Sequence, residues 1–356
     1  MKIALIIGNN IWFCPFLAIY NKLLKEWGIE YDIISWNRDG LEESEGIQYN
    51  TQIKLQGRFT KFIPYLLYVK FVKETIKKEK YDKLIVFSPQ IAIFMSRFLR
   101  KFYSNRYIFD YRDLSIEQNK IFKHPFHSIL KYSYANVISS PGFRRCLPNQ
   151  FKYILSHNFN IDIVRKAIAH PITEPDKLPQ IINVLTIGGI RDYSSIIEVI
   201  KGLANKTGFQ MKFVGKGPAT QLIQQYVDQS KIKNTTFEGY YPKEKEGDYI
   251  NQCSYLNIFY PAIISHATAL SNRFYNALIY KKPMIVTADS IQGDHVEKYQ
   301  IGLALHDCKD LDKKLNTWIQ NIDYKIFSKQ CNNLLTQFLK DYNIFSKTIS
   351  SFLQSY

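Results

Sequence analysis

The 356-residue sequence lacks the marks of a disulfide-bonded or metal-binding chain. Its five cysteines, Cys14, Cys146, Cys253, Cys308 and Cys331, are scattered, odd in number and without a CxxC pair. That usage argues against a disulfide framework and a zinc site, and for a reducing compartment. Asp110 and Asp113 do not form a DxD motif, and no HxxxH or EF-hand spacing occurs, so no metal is expected. No stretch of about 18 apolar residues escapes charged or polar breaks, which argues against a membrane-spanning helix. The apolar run after Met1-Lys2 stops at Asn9-Asn10 with no small-residue cleavage site behind it. It reads as a buried first strand rather than a signal peptide. No solenoid-type repeat is present, and the Walker spacing GxxxxGK[ST] is absent.

Apolar residues are plentiful at 46%, enough for two cores, and the length suits two domains of ordinary size. Aromatic residues reach 15%, more than cores alone need, so some are expected on contact surfaces. The formal charge is +16. Residues 1–157 hold 24 Lys and Arg against 13 Asp and Glu, and residues 54–106 alone hold 13 against 3. Such a patch suits an anionic substrate, an anionic membrane or a solvated surface. No nucleic-acid-binding module accompanies it, so nucleic acid is not an expected partner.

The chain alternates strand, turn and helix, which implies parallel sheets covered by helices on both faces. In the first half the apolar runs 2–8, 31–36, 83–88, 107–111, 136–140 and 152–157 read as strands buried on both sides. Helices are expected over segments such as Phe16–Glu26 and Phe59–Lys78. Residues 159–180 contain Pro171, Pro175 and Pro179 and little periodicity, which makes them the linker candidate. The same grammar restarts at 182–189, with strands over 211–217, 234–240, 254–261 and 283–288. The tail from Phe327 to Tyr356 is helical in period. The expected class is α/β, with two Rossmann-like doubly wound domains facing a cleft. The N-terminal domain covers 1–160 together with a returning C-terminal helix at about 340–356. A linker covers 161–180, and the second domain covers 181–339. Ligands of such sheets bind outside the carboxyl ends of the strands.

Three turns at strand ends of the second half carry chemistry. Gly188-Gly189-Ile190-Arg191 follows a strand, and Ser195 with Glu198 reads as a capping box. The glycines allow close backbone approach, and Arg191 can pair with phosphate oxygens. Gly215-Lys216-Gly217-Pro218 follows the next strand, with Pro218 suited to a first helical position and free N–H groups behind it. In Ser271-Asn272-Arg273-Phe274-Tyr275-Asn276, Ser271 can cap a helix, Arg273 and Asn276 share a face, and Phe274 and Leu278 face the core. An arginine in a first helical turn is disfavoured by the helix dipole, and an anion there would remove the penalty. In the first half, Gly8-Asn9-Asn10 ends the first strand on the cleft side.

In this order the signals resemble the donor domain of retaining GT-B glycosyltransferases of the family-four type, found in capsule, exopolysaccharide and protein-glycan assembly. The likeness rests on Gly188–Arg191, Gly215–Pro218, Phe237–Tyr240, Ser271–Asn276 and Lys282–Val286. It implies that Arg273, with Arg191 beside it, contacts the donor phosphates, and that Gly239 and Tyr240 cradle the base. The family's ribose-binding Glu is Asn276 here, and Thr268 stands where many relatives have a second Glu. Asp110–Asp113 and His157-Asn158 resemble family segments of the acceptor-side domain. The resemblance thus implies donor binding by Gly188, Gly189, Gly215, Lys216, Gly217, Gly239, Tyr240, Ser271, Asn272 and Asn276, with catalysis by Arg191 and Arg273. Asp113 is the candidate orienting or basic group. The acceptor side takes Gly8, Asn9, Asn10, Arg112 and His157.

The expected reaction moves a hexose or N-acetylhexosamine from a UDP-type sugar to a glycan or lipid-diphosphate-linked acceptor. No cofactor is needed, because protein cations stabilise the leaving diphosphate. A cytoplasmic enzyme is expected. Residues 59–72 and 91–106 suit docking on an anionic leaflet, and the sequence is compatible with a homo-oligomer. Two rivals remain: a non-hydrolysing UDP-sugar 2-epimerase, which needs several acidic and His residues in its cleft and whose helix the Asn272–Asn276 segment does not resemble, and a GT-B-like partner subunit of another glycosyltransferase.

Overall fold

The computed structural model describes residues 1–51, 62–170 and 179–355. The chain divides into two compact units. One comprises Met1–Asn158 together with the chain from Lys340 on, and the other comprises Phe159–Leu339.

The first unit holds seven strands: β1 Lys2–Ile6, β2 Glu30–Asn37, β3 Ile47–Asn50, β4 Lys83–Phe87, β5 Tyr107–Tyr111, β6 Ala135–Ile138 and β7 Ile154–Leu155. They form one parallel sheet in the order β3-β2-β1-β4-β5-β6-β7. Its main helices are α1 Leu17–Glu26, α2 Phe62–Glu79, α3 Pro89–Phe102 and α4 Lys123–Tyr132. The second unit opens with α5 Ile161–Ala169. Its six strands are β8 Ile182–Ile187, β9 Phe209–Val214, β10 Thr235–Glu238, β11 Tyr255–Ile258, β12 Met284–Thr287 and β13 Gly302–Leu305. They too are all parallel, in the order β10-β9-β8-β11-β12-β13. The helices are α6 Tyr193–Leu203, α7 Thr220–Gln229, α8 Glu246–Asn251, α9 Ile264–Thr268, α10 Asn272–Ile279, α11 Ile291–Tyr299 and α12 Leu311–Asn321.

Both strand orders reverse once, between β1 and β4 in one unit and between β8 and β11 in the other. Such a reversal splays the helices that leave the two neighbouring strands and opens a crevice at their carboxyl ends. The central strands are buried on both faces, as in Lys83–Phe87 and Tyr107–Tyr111, which explains their unbroken apolar runs.

The last helix, α13 Tyr324–Gln354, is a single 31-residue element. Phe327, Cys331, Leu334, Leu335 and Phe338 recur at helical spacing and pack in the second unit's core. Phe345, Ile349, Phe352 and Leu353 pack in the first unit's core against β1 and β4. Lys83 fastens the end of this helix: its Nζ donates to the carbonyls of Phe352, Leu353 and Ser355. These last-turn carbonyls have no intrahelical partner, so a cation is well placed there.

The structure corrects four local expectations. Residues 161–169 are not extended linker but helix α5, capped by Asn160, whose side chain accepts from Asp162 N and Ile163 N. Ile161 and Val164 give it a buried face that the prolines beyond it obscured; residues 171–178 lie outside the described residues. Ser195 and Glu198 form no capping box. Helix α6 starts at Tyr193, and Ser195 Oγ donates to Asp192 O. Pro218 is not the first residue of α7, which starts at Thr220, so Pro218 sits in the turn. The strand expected over 152–157 pairs only at Ile154–Leu155, because it is an edge with one neighbour. The start of the helix expected at Phe59 falls outside the described residues; from Phe62 on it is present.

Candidate functional site

In the second unit the three glycine turns lie side by side at the carboxyl ends of β8, β9 and β10. Gly215 has φ +119°, and a Cβ there would stand 2.2 Å from Gly188 O. A Cβ on Gly217 would stand 2.2 Å from Ile190 O. Backbone therefore meets backbone, and only glycine fits. The turns are laced together by Gly188 N to Val214 O, Ile190 N to Lys216 O, and Gly215 N to Gly239 O. The N–H of Gly217 is taken by Thr220 Oγ1 at 2.9 Å. The amides of Gly189 and Lys216 have no hydrogen-bond partner among the described residues. Lys216 lays its stem over Gly239, and the Arg191 side chain covers Gly189. Both cations are exposed. The rim thus offers two amides and two exposed cations to an anion.

Arg273 is placed differently. Ser271 caps α10 as expected, with Oγ accepting from Phe274 N, and the buried Gln292 holds Ser271 in turn. This fixes Arg273 in the first turn, only 8% exposed. Its guanidinium reaches across the crevice between β8 and β11. Nε donates to Ile187 O, Nη2 to Gly189 O at 2.9 Å and Nη1 to Asn257 O at 3.5 Å. These carbonyl dipoles offset the helix-dipole penalty that an anion was expected to relieve. Three of the five donors are engaged, which makes Arg273 a brace for the Gly188-Gly189 turn and leaves two N–H groups for a ligand. Beneath it lie the Tyr260 ring, 5.6 Å from Cζ, and His266, stacked on Tyr260 at 5.0 Å. His266 in turn faces Asp192 at 3.5 Å.

Asn276 does share a face with Arg273, and its Nδ2 donates to Glu246 Oε2 at 3.1 Å. Glu246 also accepts from Tyr241 Oη at 3.0 Å, and Lys243 pairs with it. Tyr241 Oη lies 3.9 Å from where a Gly188 Cβ would be. A carboxylate from α8 therefore stands beside the glycine rim, next to the helix position where Asn276 carries none. Sequence reasoning did not single out Glu246, Tyr241, Asn257 or Tyr260. Only Asn257, a polar residue inside an apolar strand, left a signal. Tyr240 is 77% exposed at the end of β10, and Asn272 is exposed at the start of α10. Thr268 is buried, its Oγ1 spent on Ile264 O.

The acceptor-side candidates are mostly internal fastenings. Asn10 is fully buried; it donates to Asn37 Oδ1 at 2.7 Å and accepts from the amides of Arg38 and Asp39. It clamps the tip of β1 to that of β2. Asn9 caps the Asn10 amide, and a Cβ on Gly8 would strike Ile91 at 2.6 Å. Arg112 pairs with the buried Asp110 at 2.6 Å and with Ser156, while Tyr20 Oη binds the same carboxylate. His157 corrects the expectation most clearly. Its ring is buried, and Nε2 meets Asp341 of α13 at 3.0 Å. Burial holds its pKa below the usual 6.5, against the opposing pull of Asp341. It pins the terminal helix and presents no nitrogen outward. Asp113 is exposed just past β5. Among the described residues no three His, Cys, Asp or Glu are grouped as metal ligands, and no helix is long and apolar enough to cross a membrane.

No protein-family model matches the sequence, and no curated protein does. Solved structures do match along the whole chain. Sucrose-phosphate synthase from Thermosynechococcus elongatus superimposes with a TM-score of 0.70 at 14% identity, covering 100% of both chains. The lipopolysaccharide outer core galactosyltransferase WaaB, in its apo form, gives 0.64 at 18% identity over 98% of this chain and 100% of its own. Anabaena HepE in complex with UDP and glucose gives 0.66 at 12% identity, over 99% and 100%. At these identities the likeness is one of fold, and the chain has the GT-B fold, built of two Rossmann-like units.

Proposed function

We propose that the chain is a retaining glycosyltransferase that moves a hexose or N-acetylhexosamine from a UDP-sugar to a glycan or lipid-linked glycan acceptor. The observation that carries the reading is the glycine rim of β8, β9 and β10. It brings backbone amides, Arg191 and Lys216 to the crevice side of a Rossmann sheet. A diphosphate held there is neutralised as its bond to the anomeric carbon breaks, the largest electrostatic contribution available to such a site. Arg273 orients the rim and offers its two remaining N–H groups. Tyr240 supplies an exposed ring for the base, and Glu246 with Asn276 lies where ribose hydroxyls would follow the phosphates. Asp113, in the first unit, orients the acceptor hydroxyl. The neighbour HepE, solved with UDP, with UDP and glucose, and with UDP-glucose, supports the donor class. WaaB and WaaG, described as acting in lipopolysaccharide synthesis, support a surface-glycan acceptor. The chemistry is read as metal-independent, and the reduced, unpaired cysteines favour a cytoplasmic site.

Isothermal titration with UDP and a panel of UDP-sugars, followed by product detection by mass spectrometry, tests this reading. Binding of UDP and release of UDP from one sugar donor are expected. A protein that binds no nucleotide is not this enzyme. One observation favours a second reading, in which the chain is a partner subunit of an active glycosyltransferase: α10 carries Asn276, not a carboxylate. UDP binding without turnover, together with copurification of an active enzyme, would select it.

The first turns of α2 expose Phe62, Ile63, Leu66 and Leu67, and α2 continues through Lys70, Lys73, Lys77 and Lys78. An apolar patch beside a basic run suits an anionic lipid surface, and peripheral docking there would bring a lipid-linked acceptor to the first unit. Cosedimentation with phosphatidylglycerol vesicles, lost in Leu66→Glu/Leu67→Glu, is the expected result. Equal recovery with neutral and anionic vesicles would refute it.

A further inference from the structure

Arginines at the strand tips are mostly spent on the protein itself: Arg112 on Asp110, Arg273 on three carbonyls. Arg38, just past β2, is unpartnered in a different way from the exposed Arg191: it is half-buried. Its guanidinium lies over the Trp36 indole at 4.2 Å and the Tyr65 ring at 5.0 Å. Trp36 is buried and itself stacked on Tyr68, so the platform is rigid. The Arg38 amide is anchored to Asn10 Oδ1. Its Nε is buried without a hydrogen-bond partner, and among the described residues its guanidinium forms no ion pair. Glu43 is close enough for its charge to reach the Cys14 thiol, as does that of Arg38, yet among the described residues it forms no ion pair with Arg38. Nη2 points toward Gly8, 3.7 Å from where a Cβ would be. A side chain at position 8 would crowd that space.

A half-buried guanidinium without an acceptor is costly, since stacking on aromatics recovers only part of the lost hydration and satisfies no N–H group. Its planar fork matches two oxygens of one anion. Residues 1–157 carry 24 basic against 13 acidic groups, which favours a doubly charged phosphoryl group over a single carboxylate. We infer that Arg38 is an anion anchor in the first unit that grips a phosphoryl group carried by the acceptor. This goes beyond the donor assignment; the anion anchor stands by itself, and naming its ligand an acceptor rests on the glycosyltransferase reading.

The full chain is titrated, with UDP present in excess, with inorganic pyrophosphate, glucose 6-phosphate and farnesyl diphosphate. Trp fluorescence and calorimetry read the binding. At least one probe is expected to bind, at least tenfold more weakly in Arg38→Ala, with UDP affinity changed less than twofold. Preference for farnesyl diphosphate assigns a lipid-borne phosphate, and preference for glucose 6-phosphate a soluble one; either supports the anchor. Should Arg38→Ala unfold, Arg38→Met keeps the stem over Trp36 without the charge and gives the same comparison. Equal affinity in wild type and variants, or no binding of any probe by wild type, overturns the proposal. Failure of UDP to bind overturns the donor reading and leaves the Arg38 comparison intact.

Discussion

Replacing Arg273 separates bracing from catalysis. The guanidinium ties Ile187 O and Gly189 O on one side of the crevice to Asn257 O on the other. Hydrogen bonds from a charged donor contribute about 1.5–3 kcal/mol each, but three bonds from one group are not additive. Arg273→Ala leaves three carbonyls for water to solvate as it enters the vacated space, and a net loss of about 3 kcal/mol is expected. Arg273→Lys keeps the charge but cannot fork across two strands, and should lose roughly half of that. The second unit has 181 residues, Phe159 to Leu339. At about 2–4 °C per kcal/mol for that size, Arg273→Ala should lower its Tm by roughly 6–12 °C. Differential scanning calorimetry reads this, and UDP calorimetry on the folded variant at low temperature reads the ligand contribution. A variant that melts within about 2 °C of wild type while losing UDP binding would show that the arginine is a phosphate contact and no brace. The reasoning from its carbonyl partners would then be refuted.

Three further outcomes follow from the same geometry. Gly215→Ala should destabilise by at least about 3 kcal/mol, because its Cβ would overlap Gly188 O. Gly188→Ala has open space but φ +94° and should lose only about 1–2 kcal/mol, so chemical denaturation must rank the two in that order. Glu246→Gln should weaken UDP binding several-fold and reduce the preference for UDP over 2′-deoxy-UDP; an unchanged preference removes Glu246 from the ribose site. His157, held neutral by burial, takes up a proton more readily in the unfolded chain than in the folded one. Its contribution is therefore intact above about pH 6.5 and lost as pH falls below it. The Tm drop between about pH 7.5 and about pH 5.5 should shrink in His157→Gln, and an identical drop would contradict the assignment.

The two-unit α/β architecture was legible because buried parallel strands are unbroken apolar runs and the terminal helix keeps its 3.6-residue period through Phe327, Leu334, Phe338, Phe345 and Phe352. The glycine turns were legible because backbone-to-backbone packing admits one residue type. Edge strands were not: Ile47–Asn50 pairs with one neighbour and reads IQYN, with no apolar run to reveal it. Nor was the difference between arginines. Arg112, Arg191, Arg273 and Arg38 all stand near strand ends in the sequence. The carbonyls that Arg112 and Arg273 meet lie 16 to 86 positions away, while the carboxylate of Arg112, Asp110, is only two residues off. The partner of His157 was illegible for the same reason, being 184 residues distant.

The two rims are built in different ways. In the second unit the proposed site is made largely by backbone: glycine turns, free amides, and an arginine whose work is to hold carbonyls. The first unit solves the same topology with side chains, an Asn10–Asn37 clamp and an aromatic platform under Arg38. On the proposal that Arg38 anchors the acceptor, such a platform would read the shape and charge of that one ligand. If the donor is held by backbone and the acceptor by side chains, substitutions at Trp36, Arg38 and Tyr65 should change which acceptor is used. Those at Gly188, Gly215 and Gly217 should abolish transfer to every acceptor alike.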